Sequence, residues 1–204
     1  RAVVVDEQVD EILSLPEDEA PPRLLTFLTN GGVDVLDAVS AADAVELGIV
    51  LGGDGTILRA LEAVREADIP VHGVNLGHVG FLAESEVEDL SITVARLLDG
   101  DYEIEKRSTL DIAVLDEDDE QIGHHWALNE ASLEKADRQK MINVAIEIDG
   151  RPVSSFGADG VLLSTPTGST AYAFSAGGPV IWPEVEALLL VPVAAHALFT
   201  RPLV

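Results

Sequence analysis

Apolar residues fall into short runs separated by glycine, proline and acidic clusters, and the rhythm of those runs changes near Gly100. Ala2-Val3-Val4-Val5 reads as a buried strand, Asp6 to Leu15 as a short helix, and Pro16 to Pro22 as an acidic, proline-rich loop. Leu36 to Val45 has helical spacing. Leu47-Gly48-Ile49-Val50 predicts a strand, followed by a glycine turn and a helical pattern from Ile57 to Val64. Ile69 to Val74 is another short strand, and Val87 to Leu98 a helix with a C-cap at Asp99-Gly100. Strands alternating with helices predict a parallel α/β sheet.

Beyond Gly100 the runs are shorter and alternate. Tyr102 to Lys106, Leu110 to Val114, Trp126 to Leu133 and Asn143 to Ile148 read as strands, with Asp116 to Glu120 as a turn. Asp149-Gly150 lies between Val144–Ile148 and Pro152–Phe156, a strong hairpin signal because both turn residues tolerate positive φ. Gly160 to Ser164 is one more strand, and Ser169 to Ser175 begins a short helix. The expected fold class is α/β: an N-terminal α/β nucleotide-binding domain over residues 1–100, then a β-rich, sandwich-like domain over 101–204. No internal repeat is present.

Composition narrows the partners. Lys and Arg number 12 against 37 Asp and Glu, a net charge of −25, which argues against nucleic acid or an anionic membrane as the main partner. The chain has no cysteine, so no disulfide framework and no cysteine metal site exists. No apolar run approaches the roughly 20 residues that span a bilayer. No signal-peptide pattern opens the sequence, and a cytoplasmic location is expected.

The candidate chemistry begins at Leu51-Gly52-Gly53-Asp54-Gly55-Thr56, a strand-to-helix turn. Glycine lets a ligand approach the backbone, and the first amides of a helix have no intrahelical partner, so they form an anion site. Asp54 among those donors points to a metal or to a hydroxyl awaiting deprotonation, hence to phosphoryl transfer. The motif alone reads equally as an ordinary tight turn. Thr56 is expected to cap the helix and Arg59 to fall in its first turn, where a cation opposes the helix dipole unless an anion compensates. Asn75-Leu76-Gly77-His78-Val79-Gly80-Phe81-Leu82 is a second glycine-punctuated loop at a strand end. Two such loops can line one crevice beyond the carboxyl ends of a sheet; Asn75 is read as functional, Phe81 and Leu82 as core plugs.

In the second half, Asn129-Glu130 interrupts an apolar run. A carboxylate accepting from two hydroxyls beside an amide that donates and accepts suits a ribose and an adenine edge. Lys135, Arg138 and Lys140 cluster in a chain poor in cations, which favours a phosphate-facing loop over a solvated face. Ser and Thr crowd the stretch from Gly157 to Pro179, at a strand-to-helix junction that also holds Asp159, Gly160 and Tyr172. Those hydroxyls suit a nucleotide, although capping and turn chemistry explain some of them.

Taken in this order, Gly52-Gly53-Asp54-Gly55-Thr56, Asn75-Leu76-Gly77 through Phe81-Leu82, Leu128-Asn129-Glu130, Asp159-Gly160 and Thr165-Pro166-Thr167-Gly168-Ser169-Thr170-Ala171-Tyr172 resemble the NAD kinase family, most of all its actinobacterial members. Its members phosphorylate the 2′-hydroxyl of the adenosine ribose of NAD. The glycine–aspartate motif alone is shared with diacylglycerol, sphingosine and phosphofructokinases; the combination is far more specific. The resemblance implies that Asp54 is the general base, aided by Mg²⁺ and the triphosphate of ATP, or by polyphosphate as donor. It implies that Gly55, Arg59, Asn129, Glu130, Lys140, Asp159, Thr170, Ala171, Tyr172, Ala173, Phe174 and Ser175 line the nucleotide sites, beside Asn75. No residue is assigned as a metal ligand. A homodimer or homotetramer whose subunits share the NAD site is implied as well. Against the family pattern, the chain lacks the first strand and helix, stops at Arg201-Pro202-Leu203-Val204 before several further strands, and carries His78 where a basic residue is usual. An incomplete chain is therefore expected. The rival readings are a diacylglycerol-type lipid kinase, and a sensor that holds NAD or NADP without catalysis.

Overall fold

Residues 2–4, 34–35, 46–75, 82–83, 85–86, 90–197 and 201–204 are described by the computed structural model of this chain. The helices expected at Asp6–Leu15 and Leu36–Val45, the loop at Pro16–Pro22, and the segment from Leu76 to Phe81 lie outside them. The chain divides into two compact units, Arg1–Ile104 and Glu105–Val204.

The first unit is built on strands β1 (Ala2–Val4), β2 (Asp34–Val35), β3 (Leu47–Leu51), β4 (Val71–Asn75) and β5 (Ser85–Glu86). They form one sheet in the order β2-β1-β3-β4-β5, with every pairing parallel. β3 is buried at all five positions, as an apolar strand covered on both faces must be. Helix α1 (Asp54–Val64) presents Ile57, Ala60 and Leu61 at helical spacing to Val50 and Val71. Helix α2 (Leu90–Leu98) buries Leu90, Val94 and Leu97. It ends as expected at Gly100 (φ +73°), where the N–H of Gly100 bonds to the carbonyl of Leu97 at 3.2 Å and that of Asp101 to Arg96 at 2.9 Å. These two hydrogen bonds satisfy carbonyls that the helix end would otherwise leave orphaned.

The second unit is β-rich. Strands β6 (Leu110–Leu115) and β7 (Gln121–Ala127) form an antiparallel pair around the acidic turn, in which Asp116 Oδ1 accepts from the amides of Asp118 and Glu120. Strands β8 (Glu130–Glu134), β9 (Ile142–Ile148), β10 (Arg151–Ala158), β11 (Gly160–Ser164) and β12 (Leu189–Val193) follow. β9 and β10 pair as the hairpin predicted at Asp149-Gly150, whose φ angles are +51° and +71°. β12, β11 and β8 form an antiparallel three-stranded sheet with β11 in the centre. Successive side chains of β11 feed two cores, as the two-residue period of a strand requires. Val161 packs with Val144, Phe156 and Ala158, and Leu162 packs with Ala173, Leu189 and Val191.

Two expectations change and one strand is added. Tyr102 to Lys106 carries no strand, and Tyr102 and Ile104 are exposed, so the alternation there has no partner ladder. The run from Trp126 to Leu133 is two strands, broken at Leu128-Asn129. β12 is an added strand, with Pro192 inside it disguising the pattern.

Candidate functional site

In the first unit the chain leaves β3, turns through Gly52 and enters α1 with Gly53 as its N-cap. The amides of Thr56 and Ile57 both donate to the carbonyl of Gly53, at 3.0 and 3.1 Å. The helix thus starts at Asp54, three residues before its apolar pattern, because its first turn is made of glycine and polar residues that periodicity does not register. Thr56 consequently sits within the first turn and is not the cap. Arg59 falls in the second turn, not the first, and is exposed. Gly52 is fixed as glycine on two counts: its φ is +156°, and a Cβ there would stand 2.8 Å from Thr56 Oγ1.

The Gly52 amide donates to the carbonyl of Val74 at 3.0 Å, tying the turn to the end of β4. Asn75, the last residue of that strand, is buried. Because β3 and β4 are parallel neighbours, their carboxyl ends carry Asp54 and Asn75 out of the same edge of the sheet. The Asp54 carboxylate accepts a hydrogen bond from the Leu82 amide at 3.1 Å. Leu82 was expected only to plug the core; it does pack against the α1 cluster, and its backbone also orients the acid. A main-chain donor leaves no mark in the sequence. Gly55 is exposed, and a Cβ there would meet nothing within 4 Å, so the helix start is open to a ligand.

In the second unit the break at Leu128-Asn129 is bound to the Ser/Thr-rich turn. Thr165 Oγ1 donates to the carbonyl of Leu128 at 2.5 Å and accepts from the amide of Gly168 at 3.1 Å. The carbonyl of Asn129 accepts from the Thr165 amide at 2.9 Å and from Ser164 Oγ at 3.3 Å. A Cβ on Gly168 would collide with that same carbonyl. Ser169 Oγ donates to the Ile181 carbonyl and accepts from its amide, and Thr170 Oγ1 donates to the Thr167 carbonyl. The hydroxyls of Ser164, Thr165, Ser169 and Thr170 therefore hold the turn together. These bonds are the capping and turn chemistry that the sequence allowed for some of the hydroxyls, and each oxygen keeps acceptor capacity beyond them.

What the turn holds is Asn129 and, next to it, Glu130, which stands opposite Ser164 in the β8–β11 ladder. Glu130 Oε2 is buried with no hydrogen-bond partner among the described residues, and burial raises the pKa of this carboxyl above the ordinary glutamate value. An orphaned buried oxygen is costly, and a ligand hydroxyl would relieve it. After the turn comes the short helix α3 (Tyr172–Ser175), entered through Ala171. Ala173 is fully buried in the core, whereas Tyr172, Phe174 and Ser175 are exposed. Arg107, paired with Glu105 at 2.8 Å, reaches Thr167 Oγ1 at 3.5 Å.

Asp159 lies elsewhere. Gly160 pairs with Glu134 and Ser164 with Glu130, so Asp159 and Glu130 mark opposite ends of the ladder. At the rise of an antiparallel strand those ends are about 14 Å apart. The expected phosphate-facing loop also divides. Lys135 bonds to Asp159, while Lys140 is exposed and 3.9 Å from Asp137. No group of three or more His, Cys, Asp or Glu among the described residues could hold a metal ion. No helix among them is long and apolar enough to cross a membrane.

Two family models match the chain: the ATP-NAD kinase N-terminal domain over residues 2–102 and the ATP-NAD kinase C-terminal domain over residues 128–204. Curated relatives include an NAD kinase of Leifsonia xyli subsp. xyli, 66% identical over 91% of this chain and 59% of its own length. An NAD kinase of Corynebacterium glutamicum is 59% identical over 83% of this chain and 58% of its own length. One of Rhodococcus erythropolis is 55% identical over 99% and 63%. The chain thus spans about three fifths of the length of these relatives. Among solved structures, a yeast NADH kinase complexed with NADH superposes with a TM-score of 0.80 at 25% identity, covering 100% of this chain and 68% of that one. An NAD kinase from Archaeoglobus fulgidus in complex with ATP gives 0.69 at 29% identity, covering 99% and 75%. With both domain models matched in order along it, this chain belongs to the NAD kinase family.

Proposed function

We propose that the protein carrying this chain transfers a phosphoryl group from ATP, or from polyphosphate, to the 2′-hydroxyl of the adenosine ribose of NAD, forming NADP. The observation that carries this reading is the Asp54 carboxylate, set in the first turn of α1 and aimed by the Leu82 amide. A base there accepts the hydroxyl proton as the 2′-oxygen forms its bond to the γ-phosphorus and the bond to the leaving ADP breaks. Positioning and charge neutralisation supply most of the catalysis in such a transfer. The open helix start at Gly55 suits the transferring phosphates, with Arg59 one turn further on as a counter-charge. Glu130 and Asn129 suit the sugar and the base, with Tyr172 and Phe174 exposed beside the same turn.

Support for the two ligands comes from the relatives: the archaeal NAD kinase holds ATP, and the yeast enzyme holds NADH. Mg²⁺ is the expected counter-ion of the triphosphate. The described residues contain no protein cage for it, as is usual for an ion held by one or two carboxylates and substrate phosphates. Asp159 lies at the other end of the β8–β11 ladder from Glu130; it and Lys140 suit either the far end of an extended dinucleotide or the nucleotide of a second subunit in a cytoplasmic homodimer or homotetramer.

The test is a coupled assay on the full-length protein with Mg²⁺, either ATP or polyphosphate, and either NAD or diacylglycerol. NADP formation from NAD is the expected result. Phosphatidate in its place would establish the lipid kinase, and NAD binding without product would establish the sensor.

A further inference from the structure

Lys135 follows directly after β8, and three bonds converge on the residue it faces. Its amide donates to the carbonyl of Asp159 at 2.9 Å, and its Nζ donates to Asp159 Oδ1 at 2.6 Å. The amide of Asp159 donates in turn to the carbonyl of Val193 at 3.0 Å. Asp159 is therefore held through its backbone by the strands on both sides of β11, and through its side chain by a single cation. The pair is not a loose surface contact: the Lys135 side chain is only 22% exposed and that of Asp159 40%. Short, charge-assisted bonds of this kind are roughly twice as strong as neutral ones and restrict the carboxylate to one orientation.

We infer that Lys135 is a positioning residue for nucleotide binding, acting through Asp159 and not by contacting phosphate. The inference rests on the NAD kinase reading, in which Asp159 meets the dinucleotide. Two physical effects follow from the pair. The ammonium fixes the carboxylate by its Oδ1, so that the group offered to a ligand hydroxyl is preoriented. It also offsets one negative charge where a ligand with two phosphates must approach a chain of net charge −25. Lys140 and Arg138 are both exposed, and the Lys140 ammonium is 3.9 Å from Asp137, a longer and more solvated pair than that of Lys135. This explains why a cluster of three cations does not act as one unit.

The experiment uses the full-length protein and four forms: wild type, K135M, D159N and the double variant, with K135R as a fifth. Methionine keeps an unbranched apolar stem of similar length and removes the charge. K135M is expected to raise both the KM and the calorimetric Kd for NAD up to about tenfold, because a carboxylate no longer held in one orientation must be ordered on binding. It should lower the melting temperature by a few degrees, the share of the ion pair in stability, while leaving kcat and the KM for ATP nearly unchanged, and K135R should recover most of both losses. In the D159N background the methionine substitution should add almost nothing. Additive effects of K135M and D159N would overturn the inference, because Lys135 would then act independently of Asp159. An equal loss of affinity for NAD and for ATP would overturn it too, by assigning Lys135 to the fold. A wild-type protein that neither binds nor phosphorylates NAD would instead overturn the underlying reading, and with it the role of the pair.

Discussion

The Asp54 carboxylate receives a hydrogen bond from the backbone of Leu82, 28 residues further along the chain, so the proposed base and the second loop are joined by a main-chain donor that only a proline substitution would remove. Asp54→Asn preserves an acceptor oxygen for that amide but cannot take a proton. NADP formation should fall about 10²–10⁴-fold, the usual worth of a general base. The melting temperature should barely move. Steady-state kinetics and a thermal melt on the same preparation check both halves. Near-wild-type turnover would remove Asp54 from the role.

Glu130 makes a prediction about pH. Burial raises its pKa in the folded state above the value in the unfolded chain, so across that interval the folded protein binds more protons than the unfolded one. Stability contributed by the protonated form is then lost as pH rises through the window, and the cost is constant above it. Glu130→Gln should raise the melting temperature at neutral pH, and the gain should shrink as pH falls toward the ordinary glutamate range. The same substitution should raise the KM for NAD, since an amide accepts from ribose hydroxyls less well than a carboxylate. Melts across a pH series, set beside KM values, test whether the two effects carry opposite sign.

Gly168→Ala places a methyl group in the Asn129 carbonyl. The cost is that of an overpacked site, about 1–3 kcal/mol. Relief can come only by moving the strand break that presents Glu130. Chemical denaturation should show the loss, and the KM for NAD should rise with it. A variant as stable and as active as wild type would mean that the turn yields without effect.

Thr165 gives a cleaner separation of hydroxyl from shape. Thr165→Val keeps the volume but leaves the buried carbonyl of Leu128 and amide of Gly168 without their shared partner. Each such group costs about 1–3 kcal/mol. Thr165→Ser keeps the hydroxyl and should lose much less. Denaturant midpoints for the two variants decide the matter.

The sequence made legible whatever depends on local pattern. The Asp149-Gly150 hairpin, the C-cap at Gly100 and the apolar run of β3 all fell where propensity and tertiary packing agree. The start of α1 did not, because Gly53 and Gly55 have no side chain to mark a helical face. Asp54 was identifiable as chemistry before its helix was placed. The hydroxyls near Thr165 were visible as a cluster, yet their purpose depended on which carbonyls lie within reach, and those belong to Leu128, Asn129 and Ile181 at the far side of loops. Lys135 was grouped with Arg138 and Lys140 by nearness in sequence, whereas its partner Asp159 is brought to it by strand pairing.

That pairing has a consequence for how this protein can vary. β11 is a ruler: the count of residues from Gly160 to Ser164 fixes the span between the Asp159–Lys135 pair and the Asn129–Glu130 corner. Inserting one residue in that strand would lengthen the span by about 3.4 Å and turn every later side chain to the opposite face. Val161 and Leu162 would exchange cores, and the carbonyls gripped by Thr165 would no longer be opposite it. Residue identity along β11 can therefore drift among apolar types while its length cannot. Insertions and deletions in descendants of this chain should gather in the acidic turn at Asp116–Glu120, where the ladder measures nothing.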